Sequence, residues 1–80
     1  MNKSFLELLK AEDDAICGIE SFKKSIIYFL NESENADNEK DRETCKRLVS
    51  DYENRVTKEE ENLLQIRKEL KNYIAYLKAL

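Results

Sequence analysis

No histidine, no proline and no tryptophan occur among the 80 residues, and glycine occurs once, at Gly18. Without imidazole the chain lacks the commonest general base, the commonest transition-metal ligand and every triad built on histidine. A single glycine excludes phosphate-cradling loops, which need several positions where the backbone approaches an anion with no Cβ in the way. A non-enzymatic role with neither cofactor nor metal is therefore expected. The longest purely apolar run is Ile26 to Leu30, far short of the about 20 residues that span a bilayer. Glu7, Lys10, Glu12, Asp13 and Asp14 interrupt the N-terminal apolar segment, so a secretory signal is not expected and a cytoplasmic location is. Cys17 and Cys45 allow at most one internal disulfide, and in a chain without a secretory pattern free thiols are the expectation.

Charged residues make up 39% of the chain, and the abundance of Leu, Lys, Glu and Ala with no proline to break them predicts an all-α fold. One domain over residues 1–80 is expected. Ser4 followed by Glu7 is a capping box in front of an apolar run, which starts the first helix near residue 4. Phe5, Leu8, Leu9, Ala15, Ile16, Ile19, Phe22, Ile26, Phe29 and Leu30 follow at the three-and-four spacing of one helical face, ending near Asn31. The next stretch, Asn-Glu-Ser-Glu-Asn-Ala-Asp, has short polar side chains that compete for backbone hydrogen bonds, and it places a turn at about residues 32–37. Asn35, Asp37 or Asn38 can each cap the second helix, expected over about residues 38–80.

That second helix carries a seven-residue repeat. Val49, Val56, Leu63, Leu70 and Leu77 occupy one core position, and Cys45, Tyr52, Glu59, Ile66, Tyr73 and Leu80 the other. An unbroken register over this length argues for one long, coiled-coil-like helix, because a turn would shift its phase. A short turn makes the two helices an antiparallel hairpin, in which residue i lies beside about residue 69 − i. This places the charged interruptions Glu12 and Glu59 at similar heights. It also leaves two apolar ends without partners. Ile26, Ile27, Tyr28, Phe29 and Leu30 face the polar stretch Asp37 to Thr44, while Leu70, Tyr73, Ile74, Tyr76, Leu77 and Leu80 extend past the first helix. An apolar surface of that size needs cover. A homodimer forming a four-helix bundle covers one end of each hairpin with the other end of its partner. The alternative is a monomeric three-helix bundle with a break near Thr57, where Thr57 and Glu60 form another capping box.

Other chemistry is less favoured. Glu59, Glu60, Glu61, Asp13 and Asp14 supply carboxylates, but the dimetal sites of helical bundles also use a Glu-x-x-His motif that is absent here. Arg67, Lys68, Lys71 and Lys78, with Tyr73 and Tyr76, make the C-terminal turns locally basic. A small nucleic-acid-binding regulator is thus the alternative function. The formal net charge of −3 opposes it, so nucleic acid is not the expected partner. Small secretion chaperones, phage or plasmid inhibitors and short adaptors share this size and shape. A bacterial or phage protein-interaction module is the main functional expectation, with a larger protein partner possible beside self-association.

Overall fold

Helix starts and stops follow local hydrogen bonding. In the computed structural model, which describes residues 3–80, α1 spans Phe5–Glu34 and α2 spans Glu39–Ala79. The first two residues of the expected domain lie outside the described residues. Ser4 is extended, and its hydroxyl oxygen accepts from the Glu7 amide at 3.1 Å, which is the amide half of the capping box. Asn38 caps α2: its Oδ1 accepts from the Asp41 amide at 2.8 Å, and its Nδ2 donates to the Asp41 carboxylate at 3.1 Å.

The first helix runs past the edge expected at Asn31, because Asn35 closes it from the far side. The Asn35 backbone amide donates to the Asn31 carbonyl at 3.1 Å, and its side-chain amide donates to the same oxygen at 2.9 Å. Ser33 is buried, so the added turn also packs. The connection is thereby shortened to Asn35–Asn38. The second helix is continuous for 41 residues. At Thr57, where the alternative placed a break, the hydroxyl donates to the Glu53 carbonyl at 3.1 Å inside an unbroken helix. The described chain is therefore an all-helical, two-helix antiparallel hairpin with no strand among the described residues.

Where the helices meet, the register differs from the expected one. Phe5 lies against Tyr73 with ring centroids 5.3 Å apart, and Glu12 reaches Arg67 at 3.0 Å. A Cβ on Gly18 would sit 3.9 Å from the Glu59 side chain. The paired numbers sum to 78, 79 and 77, so residue i lies level with about residue 78 − i. In this register the seam of α1 repeats every seven residues as α2 does. Leu8, Ala15, Phe22 and Phe29 are level with Leu70, Leu63, Val56 and Val49, and Phe5, Ile19 and Ile26 are level with Tyr73, Glu59 and Tyr52. The buried core consists mainly of these positions, with Leu8 fully buried.

Two consequences correct the sequence reading. The polar interruptions are not at one height: Glu12 is level with Ile66, and Glu59 with Ile19, a full repeat apart. The apolar ends also shrink. Leu70 is buried, Tyr73 is half-buried against Phe5, and Phe29 stacks on Tyr52 at 5.9 Å instead of facing Asp37 to Thr44. Only Ile74 onward extends past α1.

Gly18, the one glycine, sits mid-helix where a Cβ would meet only ordinary contact at 3.9 Å. Gly18→Ala is expected to stabilise the hairpin by about 1 kcal/mol, through the helix-interior cost of glycine. A urea midpoint shifted upward at unchanged slope checks this.

Candidate interaction surface

A seam of two residues per repeat leaves each helix with flanking positions on either side. On one flank, α1 presents Leu6, Leu9, Asp13, Ile16, Glu20, Lys23, Ile27 and Leu30, the positions that follow the seam residues along the chain. The same flank of α2 carries Lys46, Ser50, Glu53, Thr57, Glu60, Leu64, Arg67, Lys71, Ile74 and Lys78. A shallow groove of about 320 Å³ brings Leu9 of this flank together with Arg67, Lys71 and Ile74, over the seam residues Phe5, Glu12 and Leu70. Arg67 also lines a neighbouring groove with Glu60, Leu63 and Leu64, so the surface continues toward the middle of the rod.

Exposed apolar side chains gather on this flank. Of ten large hydrophobic residues exposed among the described residues, six lie here: Leu6, Leu9, Ile27, Leu30, Leu64 and Ile74. Tyr28 and Tyr76 lie on the opposite flank, and Leu77 and Leu80 lie on seam positions beyond the start of α1.

The residues singled out from the sequence thus divide. Ile27, Tyr28, Leu30, Ile74, Tyr76, Leu77 and Leu80 are exposed. Ile26, Phe29, Leu70 and Tyr73 belong to the hairpin itself: Ile26 and Tyr73 pack against the core, Leu70 is part of it, and Phe29 stacks on Tyr52. Leu6, Leu9 and Leu64 are the exposed apolar residues that the sequence reading did not assign to a partner. Leu9 is part of the apolar stripe read from the sequence, since it adjoins the true seam residue Leu8. The signal that separates them is a second stripe, Leu6, Leu9, Ile16, Ile27 and Leu30, displaced by one position from the first.

Glu12 and Arg67 form the cross-helix ion pair of the groove, at 3.0 Å, with side chains 28% and 52% exposed. At that exposure the pair contributes about 0.2–1 kcal/mol and chiefly helps to set register. Around Tyr52, Phe22 and Phe29 pack on either side, and the Arg55 guanidinium lies 5.0 Å from the ring centroid. Both cysteines are free, Cys17 exposed and Cys45 half-buried. Among the described residues no group of three carboxylate or thiol side chains converges as a metal site requires, and no helix is long and apolar enough to cross a membrane.

No family model, curated protein or solved structure matches the chain.

Proposed function

We propose that this chain is a non-enzymatic, cytoplasmic protein-interaction module of the adaptor, chaperone or inhibitor kind, working through the apolar flank of its hairpin. The observation that carries the reading is the sorting of exposed hydrophobics, six on one flank against two on the other. Burial of the seam needs the alternation of Leu8, Ala15, Phe22 and Phe29 with their opposite numbers; it does not need Leu6, Leu9, Ile27, Leu30 or Leu64. Apolar side chains gathered this way mark a surface that another helix can cover with residues at the three-and-four spacing. Self-association and a larger protein partner both fit this chemistry.

The basic C-terminal turns support nucleic-acid binding poorly, since the chain's formal net charge is −3 and Glu12 offsets the charge of Arg67. Titration with duplex DNA is expected to show no binding at moderate salt. The same preparation, measured by light scattering, is expected to show a mass above 9.5 kDa. Leu9→Asp is expected to abolish that association while helicity is retained. DNA binding that falls steeply with added salt would instead assign the chain to nucleic acid, and an association unaffected by Leu9→Asp would remove the flank from the proposal.

A further inference from the structure

The flank of α1 has a symmetry that the hairpin fold itself does not require. Leu6 and Leu30 lie equally far from Gly18, as do Leu9 and Ile27. Asp13 and Lys23 are also equidistant from Gly18 and opposite in charge. Apart from Ile16 and Glu20, which are also equidistant from Gly18, the stripe therefore reads the same in both directions in polarity, and it is complementary in charge at Asp13 and Lys23. On α2, Glu53 and Arg67 are equidistant from Glu60 and again opposite in charge. The two centres share one height, because a Cβ on Gly18 would lie 3.9 Å from the side chain of Glu59, the neighbour of Glu60.

We propose that the occupant of this flank is a second copy of the chain. It packs face to face about a two-fold axis that crosses the rod at the level of Gly18 and Glu60. This rests on the reading of the flank as an interaction surface and deepens it by naming the partner and the register. A two-fold axis across the helices sets α1 antiparallel on α1 of the other copy, and α2 on α2, so each contact occurs twice. Leu6 then meets Leu30, Leu9 meets Ile27, Asp13 meets Lys23, and Arg67, whose Nε donates to Glu12 of its own chain, turns its remaining guanidinium donors to Glu53. Ile74 and the exposed C-terminal tip reach over the turn end of the other copy. Three pairings are unfavourable: Ile16 falls against Glu20, Ile74 falls against Lys46, and the two Glu60 carboxylates face each other across the axis.

Surface area supports a partner of this size. A compact protein of 9.5 kDa has an accessible surface of about 5,000 Å², whereas this chain presents 6296 Å². The excess, roughly 1,300 Å², exceeds the about 800 Å² that each partner contributes to a standard stable interface. The shape agrees: the rod measures 63 × 16 × 14 Å with a radius of gyration of 18.0 Å, against about 12 Å for a compact chain of this length. Two rods laid flank to flank make a four-helix bundle.

Sedimentation equilibrium of the full chain and its charge variants tests the register. Asp13→Lys and Lys23→Asp, each at an exposed position, are each expected to raise the dimer Kd about tenfold, because two attractions become two repulsions. The double variant D13K/K23D is expected to return Kd to near the parent value. Glu60→Gln is expected to tighten the dimer about threefold by removing the repulsion at the axis. Circular dichroism on each variant reads folding separately. A double variant as weak as the singles overturns the proposed pairing. A chain that stays monomeric to millimolar concentration overturns the second copy as occupant. If that monomer still holds a co-purified protein and releases it on Leu9→Asp, the interaction-module reading survives this loss; if Leu9→Asp changes nothing, both fall.

Discussion

Leu8→Ala is expected to leave most of the protein unfolded at room temperature. Leu8 is fully buried, level with Leu70, and belongs to the core formed along the seam. Truncating a buried leucine removes its transfer energy and leaves a cavity, together about 2–5 kcal/mol. A single core in a chain of this length supplies roughly 3–5 kcal/mol of net stability, so the loss consumes most or all of it. Urea titration by circular dichroism, at one protein concentration for parent and variant, is the measurement. Leu64→Ala is the control: the residue is 68% exposed, so the hairpin is expected to lose well under 1 kcal/mol. Equal losses at the two sites would mean that the seam is misassigned.

The second large effect has the opposite sign. Glu59→Leu is expected to raise stability by about 1–2 kcal/mol, because it puts an apolar side chain at a half-buried seam position level with the buried Ile19. What it removes is small: the carboxylate of Glu59 accepts from the Asn62 side chain at 3.0 Å in an exposed hydrogen bond. Glu59→Gln keeps a polar group in place and is expected to leave the urea midpoint nearly unchanged. The natural glutamate is then a device for register, held at a cost in stability. Sliding the helices by one repeat preserves every seam position but brings Glu12 level with Glu59, two carboxylates in one layer. The register present separates them and sets each against an isoleucine, Ile66 for Glu12 and Ile19 for Glu59. A Glu59→Leu protein that melts earlier than its parent would contradict both the expected gain and this account.

The same pair explains why the pairing was illegible in the sequence while the helices were not. Helix existence, the cap at Ser4 and the repeat from Cys45 to Leu80 all follow from spacing within one segment, and each is visible without knowing the partner. A seven-residue repeat sets which residues face the seam, but it leaves sliding by whole repeats undetermined. Placing Glu12 and Glu59 at similar heights had the appearance of a shared polar belt, yet both are acids and repel. Turn geometry acts in the same direction. Helix axes lie about 8–10 Å apart, so the chain cannot reverse within two residues. Here the first turn of α2 extends beyond the end of α1, and the Arg42 guanidinium donates to the Ala36 carbonyl at 3.5 Å across the bend. That moves the pairing by about nine residues, drawing Leu70 into the core and Tyr73 against it. The candidate surface was legible only in part for the same reason. Ile27, Leu30 and Ile74 stand out in the sequence as apolar and unpartnered, whereas Leu9 merges with the stripe that its neighbour Leu8 occupies.

The short link from Asn35 to Asn38 does more than join the helices. A tether this short holds each rod near the other at an effective concentration in the millimolar range. The seam can therefore open from its free end, near Phe5 and Tyr73, and re-close without either rod diffusing away. Cleaving the link would leave every contact of the seam in place and still turn a unimolecular closure into a bimolecular one. Two rods that hold together as one chain would then drift apart on dilution.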